Sequence, residues 1–149
     1  MKKITIILAL LCLVLSSSLT ASDGLWLTDL AKAKIAAKKN NKLILALLTG
    51  SDWCHWCKRM DKEVFQSAEF KKFAQQNFIL LAIDFPKKKK IPQALRKQNR
   101  EILKTYNVKY GWVPTTLILK ADGTLVAKRT GYGKKGVTFY IKHLKKMMK

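Results

Sequence analysis

The chain of 149 residues is short of the side chains that usually bind metals. Its cysteines are Cys12, Cys54 and Cys57, and its histidines are His55 and His143. These donors are too few and too dispersed for a closed zinc site with four ligands. A haem-attachment motif requires histidine directly after the second cysteine of a CxxC pair, where this chain has Lys58. We therefore expect no metal and no cofactor.

Acidic residues are also scarce, 9 against 30 lysines and arginines, and the net charge is +21. A charge of this size is typical of proteins that bind nucleic acid. The basic residues are nevertheless spread along the whole chain, with one dense run at residues 87–90, and no basic helix is interleaved with aromatic residues. We predict a solvated basic surface and no nucleic acid, with peripheral contact to anionic envelope surfaces or acidic proteins as the alternative use of the charge.

No uncharged apolar run reaches the roughly 20 residues of a confident membrane span. The run at residues 4–15 follows two lysines and precedes a small polar stretch, 16–22, which is the order of a secretory signal peptide. We predict that residues 1–22 are this signal, cleaved at about 20–22, and that 23–149 form one domain. An uncleaved anchor is the alternative. Cys12 leaves with the signal, and the remainder has 28 basic and 9 acidic residues, a net charge of +19.

The two cysteines of the mature chain, Cys54 and Cys57, form a CxxC pair. They lie between a continuous apolar run at residues 43–48, typical of a buried strand, and a predicted helix at 58–65. Cys54 would then lie at the N-terminal end of a helix, where free N–H groups and the helix dipole favour a thiolate. Cys57, one turn later, can close a disulfide. The arrangement predicts a redox-active dithiol.

A purely structural disulfide is the main alternative. Loop entropy gives a four-residue ring only about 2 kcal/mol, against about 3 kcal/mol for a fifteen-residue loop. Thiols outside the cytoplasm tend to be oxidised. In an exported protein, a single closely spaced cysteine pair is therefore better explained by electron transfer than by a stabilising disulfide.

The other segments give an α/β pattern. Predicted helices are capped by Thr28 and Ser67, a third covers residues 93–106, and an amphipathic helix ends the chain at 148. Strands are predicted at 43–48, 78–83, 115–119 and 125–129, the last two joined by a hairpin turn at 121–124. We predict a mixed central sheet of about four strands with helices on both faces. The dithiol should lie at the C-terminal end of a central strand.

These features together resemble the thioredoxin family over nearly all of residues 25–148. The landmarks are Trp53-Cys54-x-x-Cys57-Lys58, Ala82-Ile83-Asp84, Val113-Pro114-Thr115, Asp122-Gly123 and Gly131. The lead-in Thr49-Gly50-Ser51-Asp52-Trp53 is similar to an exported thioredoxin-like subgroup. The resemblance implies the thioredoxin fold and a periplasmic thiol–disulfide oxidoreductase.

The resemblance also implies that the bond before Pro114 is cis and that Val113 and Pro114 face the dithiol and hold a substrate segment. Between the cysteines, His55 can place positive charge beside the Cys54 thiolate, which would lower the pKa of Cys54 and make the pair more oxidising. Trp56 is expected to shield the disulfide or touch substrate, together with Trp53, and simple packing on the helix is the alternative for Trp56.

One position departs from the family pattern. The buried aspartate usually found behind the second cysteine is replaced by Leu48. Water, His55 and Asp84 remain as candidate proton acceptors for Cys57, and Asp52 is expected on an exposed turn.

The subgroup implies a direction for the chemistry. It favours a monomeric disulfide reductase that acts on exported proteins with disulfides and receives electrons from a membrane donor of the DsbD type. A disulfide oxidase or isomerase on the same fold remains an alternative, and so does a redox-inert binding module.

Overall fold

A computed structural model describes residues 25–149. The predicted signal peptide, its cleavage site and Cys12 lie outside the described residues. In chain order the elements are β1 (Trp26–Leu27), α1 (Leu30–Asn40), β2 (Leu43–Thr49), α2 (His55–Met60), a π-helical segment (Asp61–Phe65), α3 (Ala68–Asn77), β3 (Phe78–Asp84), α4 (Gln93–Thr105), β4 (Thr115–Leu119), β5 (Leu125–Thr130) and α5 (Gly136–Met147).

The strands form one mixed sheet in the order β1-β3-β2-β4-β5. β3 runs parallel to both β1 and β2, and β4 runs antiparallel to both β2 and β5. β2 is central and places Leu45 opposite Leu80 on one side and Ile118 on the other. The predicted mixed sheet is confirmed, with one strand more than expected. β1 was missed because a two-residue strand is too short to show a period in sequence.

Helices cover both faces of the sheet, as predicted. Alternate residues of a strand point to opposite faces, so β2 contributes to two separate cores. One core contains Ala33 and Ala37 of α1, Ile44, Ala46 and Leu48 of β2, and Ile102 of α4. The other contains Leu45 and Leu47 of β2, Met60 of α2, Val64, Phe70 of α3, and Leu144 of α5. The second core supports the helix that follows Cys54.

Two helix starts differ from the sequence prediction, whereas the starts of α3 and of α4, at Gln93, agree with it. Ser67 caps α3 as expected, since its Oγ accepts the N–H of Phe70 at 3.2 Å. The cap of α1 is Asp29 and not Thr28, because the Asp29 carboxylate accepts the N–H of Lys32 at 3.0 Å. The dithiol helix begins at residue 55 and not 58, because Cys54 itself is the cap. Within residues 25–149 none of the helices has the length and apolar character needed to cross a membrane.

Candidate active site at the Cys54–Cys57 disulfide

Cys54 and Cys57 lie at the start of α2 and are joined by a disulfide, with their Cα atoms 5.2 Å apart. Both are buried, with 6% and 5% of their surface exposed. The sulfur of Cys54 accepts the backbone N–H of Cys57 at 3.1 Å, which is the bond that a capping side chain makes at a helix start. This N–H partly neutralises negative charge on Cys54 when the disulfide opens, so the two sulfurs are not equivalent.

The turn before α2 is fixed by Trp53. The carbonyl oxygen of Gly50 accepts the backbone N–H of Cys54 at 2.8 Å, and the Trp53 indole N–H donates to the carbonyl oxygen of Phe85 at 2.7 Å. A β-carbon at position 50 would overlap the Trp53 indole, so glycine is required there. Trp53 thus anchors the turn before Cys54 to the loop after β3.

The loop before β4 forms the opposite wall of the site. The peptide bond between Val113 and Pro114 is cis, Pro114 is buried, and the carbonyl oxygen of Val113 lies 3.8 Å from the sulfur of Cys54. Thr115 steadies this loop, because its hydroxyl donates to the carbonyl oxygen of Trp112 at 2.6 Å. The fold therefore brings Val113 and Pro114 to the dithiol, 59 residues from Cys54 in the chain.

Exposed aromatic side chains surround this wall. The exposed fractions of Trp56, Trp112 and Tyr110 are 39%, 53% and 64%. Trp56 packs edge-to-face with His55 at 5.1 Å between ring centroids, and the Lys134 ammonium lies 4.1 Å from the centre of a Trp56 ring. Trp56 is partly exposed and contacts its helix neighbour His55, so its role in substrate contact, with packing on the helix as the alternative, stays a prediction. Sequence reasoning missed Trp112 and Tyr110, although they lie one and three residues before Val113.

A cavity of about 500 Å³ that is open to solvent borders Cys57. Its lining includes Leu47, Thr49, Asp61 and Gln66 along with Cys57. Asp61 follows Cys57 by four residues and accepts the side-chain N–H of Gln66 at 2.6 Å. Because the cavity is open to solvent and Asp61 is exposed, water can enter it. Asp61 was not among the expected proton acceptors, although the i, i+4 spacing places both residues on one helical face and could have indicated it.

The carboxylates named from sequence have other partners. Asp84 accepts both the backbone N–H and the hydroxyl of Ser51, at 2.9 and 2.6 Å. Leu48 lies in the core on the sheet face away from α2, and the leucine of β2 that lines the Cys57 cavity is Leu47. Leu47, and not Leu48, is therefore the β2 residue that borders the same cavity as Cys57. Both positions are leucine, so β2 offers no carboxylate to Cys57 on either face.

Asp52 caps the lysine-rich loop that follows β3. Its carboxylate accepts the backbone N–H groups of Lys87, Lys88 and Lys89 at 3.0, 2.6 and 3.0 Å. These N–H groups, that of Lys87 foremost, lower the pKa of Asp52 to about 2. Asp52 is half-buried on its turn and acts as a loop anchor. Across residues 25–149, no three histidine, cysteine or acidic side chains are grouped so that they could hold a metal ion.

Residues 30–142 match the family model described as a thioredoxin-like domain. The chain belongs to the thioredoxin-like family. Disulfide bond reductase DsbH from Chlamydia pneumoniae is 33% identical over 129 residues, which cover 87% of this chain and 76% of that relative. Thioredoxin-related protein DsbJ from the same organism is 28% identical over 88 residues, covering 58% of this chain and 25% of DsbJ.

Solved structures of thioredoxin-like proteins agree with this relation. A structure of DsbH oxidoreductase matches with a TM-score of 0.75 at 32% identity, covering 83% of each chain. The C-terminal domain of DsbD from Neisseria meningitidis, in its oxidised form, matches with a TM-score of 0.57 at 18% identity, covering 81% of this chain and 97% of that domain. The second match shows the thioredoxin-like fold alone.

The family relation confirms the predicted thioredoxin fold and the predicted class of enzyme. The likeness to DsbH, with Cys54 and Cys57 at disulfide distance, identifies this thioredoxin-like chain as a thiol–disulfide oxidoreductase homologous to a disulfide bond reductase. The likeness also agrees with the subgroup indicated by the lead-in at residues 49–53.

Proposed function

We propose that this protein is a periplasmic disulfide reductase in which Cys54 is the nucleophile and Cys57 the resolving cysteine. The observation that carries the assignment is the asymmetry of the pair. The sulfur of Cys54 accepts a backbone N–H and lies beside Val113, whereas Cys57 borders the cavity that Asp61 also lines. The homology to a disulfide bond reductase supports the direction of electron flow.

The first chemical step is attack of the Cys54 thiolate on one sulfur of a substrate disulfide. A bond forms between Cys54 and that sulfur, the substrate disulfide breaks, and the other substrate sulfur leaves as a thiolate that takes a proton from water. Val113 and Pro114 would hold the substrate backbone beside Cys54, with Trp53, Trp56 and His55 at the edge of the contact.

The second step is attack of Cys57 on the sulfur of Cys54. The bond between the two cysteines forms, and the remaining substrate sulfur leaves as a thiolate and is protonated. Cys57 must lose its proton first, and we assign Asp61 as the acceptor through water in the shared cavity. The substrate gains two electrons and two protons, and the Cys54–Cys57 pair becomes oxidised.

The oxidised pair needs an external donor. Cys54 and Cys57 are the cysteines of residues 25–149, so within that part of the chain there is no second dithiol to relay electrons. A membrane donor of the DsbD type would reduce the pair by the same exchange chemistry. The relatives DsbH and DsbJ are Dsb proteins, which supports a place for this monomer in such a pathway. Its substrates would be exported proteins with disulfides.

The periplasmic location rests on residues 1–22, the proposed signal peptide. Lys2 and Lys3 precede the uncharged run at 4–15, as expected for an exported protein. Sequencing the N-terminus of the protein purified from the periplasm would give a start near residue 23. A start at Met1 in a membrane fraction would instead indicate an anchor.

Reduction of insulin by dithiothreitol tests the proposed activity. We expect the protein to accelerate the precipitation of the insulin B chain at catalytic concentration, and the variant Cys54→Ser to give no acceleration. A wild-type protein that fails to accelerate the reaction would be a redox-inert binding module, contrary to the proposal.

A further inference from the structure

A second cavity, of about 360 Å³, has a strongly basic lining. Its cationic residues are Lys87, Lys88, Lys89, Lys90, Arg96 and Arg100. Phe85 and Tyr110 form an aromatic wall, with ring centroids 5.7 Å apart. We term this cavity the basic groove.

The basic groove is held in shape by hydrogen bonds. Asp52 binds three backbone N–H groups of the lysine run, and the buried Asn99 donates from its side chain to the carbonyl oxygen of Asp84 at 2.8 Å. The lysine run is therefore held to the turn before Cys54, and the end of β3 that precedes the run is held to α4.

None of the cationic side chains of the basic groove forms an ion pair with a carboxylate of residues 25–149. The ion pairs found in residues 25–149 are Arg59–Glu63 and Lys104–Glu101, and neither includes a residue of the groove. The two adjacent carboxylates are already used, Asp52 by the loop N–H groups and Asp84 by Ser51. Concentrated charge of one sign in a concave site attracts ligands of the opposite sign.

The basic groove adjoins the active site. Phe85, in its wall, accepts the Trp53 indole N–H, and the Lys87 ammonium lies 4.4 Å from the centre of a Trp53 ring. On the other side, Tyr110 precedes Val113 by three residues. A polypeptide whose disulfide meets Cys54 can therefore extend into the groove.

We propose that the basic groove binds an acidic, extended segment of the disulfide substrate. This inference rests on the proposed reductase function and adds a substrate class to it. Carboxylates of the segment would pair with Arg96, Arg100 and the lysines, since arginine binds carboxylates with two parallel hydrogen bonds. A concave site with aromatic walls accommodates protruding side chains better than the flat surface of a bilayer. The groove would mainly raise the association rate with acidic substrates.

Two disulfide-closed peptides of equal length test this proposal, one with four glutamates on one arm and the other with glutamines in their place. We expect the protein to reduce the acidic peptide roughly tenfold faster in kcat/KM at low ionic strength, an advantage that 0.5 M NaCl largely removes. The variant Lys88→Gln/Lys89→Gln should lower this ratio to about twofold. The matched control, Lys38→Gln/Lys39→Gln on exposed positions of α1, should keep the wild-type ratio. A cooperative thermal unfolding transition in both variants would confirm that they are folded.

Binding of fluorescent forms of both peptides to the variant Cys54→Ser/Cys57→Ser separates docking from chemistry. If neither peptide is reduced but the acidic one binds more tightly through Lys88 and Lys89, the reductase assignment fails and the groove stands. Equal binding and equal reduction of the two peptides would overturn the groove proposal alone. The groove proposal would also be overturned if Lys88→Gln/Lys89→Gln and Lys38→Gln/Lys39→Gln lost the preference for the acidic peptide equally. The preference would then come from the net charge of the protein. If replacing Lys88 and Lys89 weakened binding to phosphatidylglycerol vesicles but not to the acidic peptide, the groove would be a membrane-binding surface. That result would refute a peptide site.

Discussion

The backbone N–H of Cys57 donates a hydrogen bond to the sulfur of Cys54 at 3.1 Å. This bond gives the two cysteines different chemistry although they are equally buried. Negative charge on Cys54 is stabilised by the N–H and by the start of α2, whereas Cys57 is inside the first turn and has no such donor among the described contacts. The order of attack in the proposed reaction follows from this difference.

Replacing Cys57 by serine should trap the substrate. Cys54 still attacks, but the mixed disulfide cannot be resolved, so a covalent adduct with insulin should accumulate on non-reducing gels. The matched variant Cys54→Ser should form no adduct. Accumulation on Cys54→Ser instead would reverse the assigned roles.

Replacing Asp61 by asparagine should slow resolution of the mixed disulfide. A positioned proton acceptor contributes about a hundredfold or more in well-ordered sites, and we expect roughly tenfold here because Asp61 is exposed and water can partly replace it. Stopped-flow measurement of substrate release near pH 7 should show this loss, and the loss should shrink at high pH as Cys57 ionises without help. The variant Glu101→Gln, an acid-to-amide change on α4, is the control. A pH-independent loss would indicate a purely structural role for Asp61.

Replacing His55 by alanine should reduce the thiolate fraction of Cys54. His55 is exposed beside Cys54 and is the one basic side chain between the two cysteines. Thiolate absorbance near 240 nm, recorded against pH in the Cys57→Ser background, measures this fraction. His143→Ala, which removes the histidine on α5, should leave the curve unchanged. An unaltered curve for His55→Ala would refute the electrostatic role of His55.

Asp52 predicts an acid-sensitive contribution to stability. Its pKa falls from the ordinary 3.8 to about 2 in the folded protein because loop N–H groups bind its charged form. A depressed carboxyl pKa stabilises the fold above about pH 4, and this contribution is lost as pH falls from about 4 to 2. Asp52→Asn should therefore lower the melting temperature at pH 7 and flatten its decline over that range, as followed by circular dichroism. Asp29→Asn, which keeps the cap of α1, should retain the wild-type slope.

Much of the fold could be predicted because its signals are local. Three signals each specify their element within a few residues. They are the apolar run at residues 43–48, the Asp122-Gly123 turn and the Ser67 cap. β1 could not be predicted, since two residues acquire strand geometry only by pairing Trp26 with Leu80. Thr28 and Asp29 are both good helix caps by residue type. The sequence therefore does not decide between them, and only the tertiary position of α1 does.

The site residues could be predicted where residue type alone decides the chemistry. They could not be predicted where the direction of a side chain decides it. Cys54, Cys57 and Val113-Pro114 were found from their motifs. The sequence did not show which leucine of β2 borders the Cys57 cavity, because a strand buried on both faces has no polar alternation to mark which residues point toward α2. Asp61 and the basic groove require knowledge of which loops and helices meet, because the groove joins the lysine run to α4 and to Tyr110.

The reduction potential of the Cys54–Cys57 pair, measured by equilibration with glutathione, tests the central claim most directly. The proposed reductase predicts a value near that of thioredoxin, about −270 mV, at which the dithiol readily gives electrons to a substrate disulfide. A value near about −120 mV, typical of a strong dithiol oxidant, would contradict the claim and make the protein an oxidase that takes electrons from its partners.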